Sequence, residues 1–351
     1  MKTSTNKRRT RERSTSSGQW IRSRSAYAGF LVALVLALTA SMLLGVSVGV
    51  AGSDLGAFFL AIGDETPQAL SEIMLEMRLP RVLAAALTGA AFALAGAVMQ
   101  GITRNPLADS GLLGINAGAC FLVALSAALL PQLSALGTMV AAFCGAALAA
   151  LLVAGFGMQK HKTSPLRLIL AGSAVSAFLT ALSQGIALAF GLSKDLSFWT
   201  VGSLSGVLWP QFSLVAPWLL VCFVVGLILA PRLTLLALGD DSAAGLGVNV
   251  AAVRLAGMAL VLLLAGASVS LVGGISFVGL IVPHVARRLV GSDYLRIIPA
   301  SLLLGAVLLV LADMAARMLH APFDTPVGAL VSVIGVPVFL ILTYRSGRRD
   351  L

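Results

Sequence analysis

The sequence predicts an all-α polytopic membrane protein of about ten transmembrane helices with both termini cytoplasmic. Three observations predict it. First, 58% of the 351 residues are hydrophobic and 11% charged, with a mean hydropathy of +0.99. A soluble domain is about half apolar and a quarter charged, so here lipid must serve as solvent for most of the chain. Second, the apolar residues run continuously instead of alternating, which selects helices over a barrel. Third, Lys and Arg recur in every second connection, as the positive-inside rule requires. The 36 glycines and 6% aromatics suit helices that approach closely through small residues.

Residues 1–26 read as a disordered basic tail. Eight of the 24 Lys and Arg residues precede residue 25, beside one acid, Glu12, in a Ser/Thr-rich setting. The run that follows, Tyr27–Val50, exceeds a signal-peptide apolar core and lacks a small-residue cleavage site, so it reads as an uncleaved first span. The tail then faces membrane lipid from the cytoplasm, and the +10 net charge implies no nucleic-acid partner.

Residues 27–347 read as one membrane domain. A span needs about 20 mostly apolar residues. After Tyr27–Val50 the runs are Val82–Gln100, Gly111–Leu130, Leu133–Gly157, Leu166–Phe190, Phe212–Ala230, Val250–Val272, Ile275–Leu289, Ile297–Met314 and Val327–Tyr344. Gly and Pro interrupt the third and eighth. Cys120, Cys144 and Cys222 each lie inside such a run, with no CxxC spacing, and read as small core fillers.

Orientation follows from the connections. Arg104, then Lys160, Lys162 and Arg167, then Arg232 and Arg254, then Arg287, Arg288 and Arg296 fall on the side of the basic tail, as do Arg345, Arg348 and Arg349. The opposite connections carry Asp54, Asp64, Glu65, Glu72 and Glu76, then Lys194 with Asp195, then His320 and Asp324. Leu87, Gly89, Ala90, Leu94 and Gly96 recur as Leu264, Gly266, Ala267, Leu271 and Gly273 in a run of opposite direction, a suggestion of an inverted repeat.

Several chemistries are excluded. Neither HExxH nor a GxSxG with a partner His occurs. None of the five lysines, Lys2, Lys7, Lys160, Lys162 and Lys194, follows a Gly, so the chain has no phosphate-binding loop. No cofactor and no metal site is expected. An ion-coupled secondary transporter would place ionisable groups within the bundle, and Asp313 is the only carboxylate inside a confident span.

Three blocks are more specific than hydropathy. The first runs from Arg78-Leu79-Pro80-Arg81 into LTGAAFALAGAVMQGITRNPLADSGLLGINAGA, residues 87–119. The second is Ser197 to Leu204, SFWTVGSL. The third is GGISFVGLIVPHVARRLVG, residues 273–291, followed by Asp313 and DTPVGALVSVIGVPVFL, residues 324–340. Together they resemble the FecCD-type permeases of ABC importers for ferric siderophores, haem and cobalamin. One departure is Ser110, where the family usually has Pro.

The resemblance implies a non-enzymatic permease subunit that translocates an iron-siderophore-type chelate into the cytoplasm, with cobalamin or haem as the alternative cargo. It implies a second permease subunit, two ATPase subunits and an extracytoplasmic binding protein, in the plasma membrane or the inner membrane of a two-membrane cell. For individual residues two readings stand side by side. Asn105–Asp109 is a tight turn that brings Asp109 to the next helix N-terminus; the resemblance makes Asn105 and Leu107 a cytoplasmic gate, with a second gate at Ser164 and Leu166. Leu238–Val248, with Leu238, Gly239, Asp240, Asp241, Ala244, Gly245 and Leu246, reads as a short polar helix ended by Gly245 or Gly247, or as a bare loop; the resemblance makes it the ATPase coupling helix. Arg78, Arg81 and Arg317 are snorkelling anchors or, by resemblance, docking points for acidic residues of the binding protein. Trp199, Gly202 and Ser203 sit at an interfacial belt or line an outer vestibule. Pro283 and Pro337 are packing kinks or hinges. His284, Arg287 and Arg288 are positive-inside anchors with a secondary ATPase contact.

Overall fold

The computed structural model describes residues 21, 23–47, 72–109, 111, 114–157, 165–192, 196, 199–319 and 323–347, without the side chains of 157, 165–169 and 342–347. The tail to residue 20, Asp64, His161, Ser164 and Lys194 lie outside the described residues. Among the described residues every regular element is helical. The elements are α1 (Arg24–Ser47), a π-helical segment Glu72–Arg78 leading into α2 (Leu79–Thr103), α3 (Ile115–Leu129), α4 (Ala135–Gly157), α5 (Pro165–Ala189) and α6 (Trp209–Leu236). There follow α7 (Asp240–Gly245), α8 (Val250–Val272), α9 (Val278–Val290), α10 (Tyr294–Leu319) and α11 (Val327–Gly347).

Seven of these helices are long and apolar enough to cross a bilayer: α1, α2 with its π-helical lead, α4, α5, α6, α8 and α10. The apolar helices Ile115–Leu129 and Val327–Ile341 are shorter. Helix α9 has only 13 residues, about 20 Å at 1.5 Å per residue, and is preceded by the non-helical stretch 273–277.

Helix α2 is the hub. Its most apolar window is 89% buried, against 22–56% in the other long helices. Small residues make this packing feasible, because without a side chain the backbones approach each other directly. Gly89 meets the Gly305 carbonyl of α10, and Gly96 meets the Gly279 backbone of α9. A Cβ at either position would overlap a neighbouring carbonyl. Gly118 of α3 and Gly145 of α4 repeat the device. The echo between the two glycine-bearing segments extends to one pair of contacts: Gly273, like Gly96, meets a backbone, at Trp199, whereas Gly266 faces the Phe143 ring of α4.

Several boundaries differ from the apolar runs. The run Phe212–Ala230 stops before Pro231, yet α6 continues to Leu236 because Leu233 and Leu236 are fully buried and hold the extra turn. A lost hydrogen bond at an interior Pro is tolerated where neighbours pack the helix on both sides. The start of α6 is set by Gln211, whose Oε1 accepts from the Leu208 amide at 3.2 Å, and α8 by Asn249, whose Oδ1 accepts from Ala252 N at 3.0 Å.

Candidate functional site

The polar side chains gather at the two ends of α2, which lie about 37 Å apart for its 25 residues at 1.5 Å each. At its start, Arg81 and Arg317 come together on Asp313, with Arg78 close to Arg317. Arg81 Nε and Nη2 each lie 3.0 Å from Asp313 Oδ1, and Arg317 Nε lies 3.1 Å from Oδ2. Arg317 Nη2 donates to the Gly45 carbonyl at 2.8 Å, and Arg78 Nη1 to Val46 O at 3.1 Å, so both close the last turn of α1. Arg81 also reaches outward: its Nη1 is 3.2 Å from Asp324 Oδ1. Asp324 in turn accepts from Ser205 Oγ at 2.8 Å. Two of the three guanidiniums thus share the Asp313 carboxylate, and Arg81 also reaches Asp324. Asp313 is 1% exposed, while Asp324 is 37% exposed.

Ser205 belongs to a cleft of about 280 Å³ at this same end. The cleft is walled by the first turn of α4 (Thr138, Met139), the segment around Trp199, Gln211 of α6, and Ser270 near the end of α8. Trp199 and Ser203 line it. Gly202 does not: with φ +82° it forms a junction in which its carbonyl accepts from Gly328 N of α11 at 3.1 Å. On either side Ser203 N donates to Val272 O at 2.9 Å and Gly274 N to Trp199 O at 3.1 Å. Hydroxyl, amide, indole and thioether groups face the cleft, and among the described residues its lining holds no ionisable side chain.

At the far end of α2, α7 is a single exposed turn and a half. Asp240 in its first turn pairs with Arg254 Nη2 at 2.9 Å and lies 3.6 Å from Arg104 Nη2, while Arg254 Nε donates to the Ile102 carbonyl. The short helix is therefore fastened to the end of α2 and the start of α8. Ala243 is buried beneath it, and Leu238 and Leu246 stand 63% and 61% exposed on either flank, with Asp241, Ala244 and Gly245 also exposed. Gly245 is the last helical residue, and the glycine that caps the helix is Gly247, φ +81°: Gly247 N donates to Ala244 O and Val248 N to Ala243 O, the paired bonds of a left-handed C-terminal cap.

Asn105–Asp109 forms the expected turn, with Asn105 Oδ1 accepting from Leu107 N at 3.0 Å. Asn105 and Leu107 are half-buried. Asp109 lies beside Gly111 on the way to α3. Its carboxylate also lies against Gly279 in the first turn of α9, where the broken start of that helix abuts α2. Gln100, 1% exposed, fixes that start through Nε2 to the Gly279 carbonyl at 3.3 Å. Leu166 opens α5 with its side chain undescribed, and Ser164 lies outside the described residues.

Arg287, read as a positive-inside anchor, has packing partners within the bundle. It turns inward, with Nη2 3.2 Å from Gln100 Oε1 and 3.1 Å from the Tyr294 hydroxyl, because α9 buries that face on α2. The ring nitrogens of His284 are also buried, with no hydrogen-bond partner among the described residues, whereas Arg288 is exposed. Sequence reasoning missed Asp324, Ser205, Gln100 and Tyr294. One signal was present: Asp313 and Arg317 stand four apart on one helix, a pairing distance.

Among the described residues no three His, Cys, Asp or Glu side chains converge as metal ligands. The architecture is instead that of a helical bundle with charged clusters at both ends of its central helix. Residues 33–345 match the model of the FecCD transport family. The chain belongs to that family. It is 47% identical over 324 residues to the iron(3+)-hydroxamate import system permease protein FhuB of Bacillus subtilis, covering 91% of this chain and 83% of that one. It is 41% identical over 328 residues to the ferric enterobactin transport system permease protein FepD of Escherichia coli, covering 92% and 96%. A solved inward-facing structure of a metal-chelate type ABC transporter superposes with a TM-score of 0.80 at 30% identity, covering 91% of this chain and all of that one. This FecCD protein is thus a multi-pass membrane permease of an ABC importer.

Proposed function

We propose that this FecCD permease carries an iron-siderophore-type chelate inward along the axis of a permease dimer, with two ATPase subunits below and an extracytoplasmic binding protein above. Ten spans with both termini cytoplasmic fit this arrangement. The α7 end then faces the cytoplasm with Arg104, Arg232, Arg254, Arg288 and Arg296, as the positive-inside rule prefers. The start of α1 belongs to that end too, since Tyr27 OH donates to the Arg296 carbonyl at 3.1 Å.

The observation that carries the reading is the mounting of α7. An exposed turn with two flanking leucines offers a partner an apolar grip, while Asp240 passes any push to α2 and α8 through its ion pairs. A pore without an energy source has no use for such a knob. Asn105 and Leu107, with Ser164 and Leu166, form the cytoplasmic gate of this reading. Trp199 and Ser203 line the outer vestibule, and the cluster of Arg78, Arg81 and Arg317 receives acids of the binding protein. Asp313, the carboxylate within a long apolar span, argues against ion-coupled transport, because two guanidiniums already occupy it.

The test is Gly245→Pro in the reconstituted importer. Gly245 has open space around it, so insertion and folding are expected to survive. Substrate-stimulated ATP hydrolysis should lose its link to uptake of the ⁵⁵Fe-loaded chelate. Normal uptake would make α7 an idle loop.

A further inference from the structure

The docking reading leaves a difficulty. Arg81, the most outward-reaching of the three arginines, is already ion-paired within the chain. Its partner there, Asp324, does two things at once: it takes Arg81 Nη1 at 3.2 Å and accepts from Ser205 Oγ at 2.8 Å. Ser205 lies in the wall of the 280 Å³ cleft, so the same carboxylate joins the rim of the bundle to the cleft. The two carboxylates of the cluster are not equivalent. Asp313 is 1% exposed and held by two guanidiniums, whereas Asp324 is 37% exposed and stands just ahead of α11. Removing Asp313 would leave charges stranded in the interior, but Asp324 sits where water or another carboxylate can replace it.

We infer that Asp324 is an intramolecular stand-in for a carboxylate of the extracytoplasmic partner. In the undocked permease it holds Arg81 and, through Ser205, keeps the cleft wall in place. A partner carboxylate that claims Arg81 displaces Asp324, frees Ser205 and loosens the wall when a loaded partner is present. Arg81 keeps its pair with Asp313 throughout, so exchange occurs at the rim without unpairing the interior. The inference rests on the docking reading of Arg81.

The experiment uses a chain whose three native cysteines are replaced by alanine, with Thr138→Cys as the reporter in the cleft. A membrane-impermeant maleimide is applied to intact cells in which the binding-protein gene of this importer is intact or deleted. In the otherwise unaltered chain, labelling should be about two- to fivefold faster with the binding protein than without it, the range one partly exposed ion pair is worth. Adding Asp324→Asn should make it fast in both strains. Ser205→Ala should do the same while leaving both ion pairs whole, and it serves if the asparagine variant does not accumulate. Labelling that follows the binding protein but ignores both substitutions would overturn the stand-in and leave docking intact. Labelling that ignores the binding protein in the unaltered chain would overturn docking and the stand-in together.

Discussion

At the scale of single residues, Asp313 and the α2 glycines carry the strongest constraints. Asp313→Ala takes the carboxylate from Arg317, which is 10% exposed, and leaves Arg81, 13% exposed, to its rim partner Asp324. Breaking a buried pair from one side costs about 3–5 kcal/mol. The variant should melt well below the parent in detergent, and an unchanged melting curve would show the cluster to be water-filled. Gly96→Ala drives a methyl into the Gly279 carbonyl and should abolish the folded monodisperse peak in size-exclusion chromatography. Gly185→Ala, in a helix of similar composition but with open space around the site, should leave that peak unchanged. The sequence makes both glycines visible as letters but not as contacts. A chain with 36 glycines gives no way to tell Gly96 from Gly185 until the neighbouring backbone is in place.

At the scale of elements, the apolar runs were legible because lipid imposes one rule on every span, and each run falls on a helix of the fold. What hydropathy could not give is which helix is innermost. All the long helices are apolar on every side, so burial depends on residue size more than on apolarity, and α2 wins the centre with Ala and Gly. The inward turn of Arg287 was hidden for a related reason: the positive-inside rule assigns a charge to a side of the membrane, not to a face of a helix. In α7 the end signal was legible as two candidate glycines, and the left-handed φ of Gly247 makes that one the cap. Gly247→Ala therefore costs about 1–2 kcal/mol in that cap. Faster amide exchange over residues 240–248 should report it, with the exchange of α2 unchanged. Asp240→Ala should leave α7 formed but slack, lowering ATPase-driven uptake more than ATPase binding.

At the scale of the whole molecule, the topology is open to direct measurement. Single cysteines at Asp64 and Lys194 should react with an impermeant reagent from outside, and those at His161 and Arg288 only after the membrane is opened. Outside labelling at His161 would overturn the ten-span arrangement.

The mounting of both charged clusters on α2 has a further consequence. Arg81 lies in its first turn, and the Ile102 carbonyl that anchors Arg254 lies in its last. Whatever binds at one end and displaces this rod does work on whatever binds at the other. Equilibrium coupling of that kind is reciprocal. The factor by which the binding protein tightens the ATPase on the permease must equal the factor by which the ATPase tightens the binding protein. Titrating each against the permease with the other present and absent gives two ratios. If α2 is the rod that joins them, cutting the Asp240 pairs should pull both ratios toward one by the same amount.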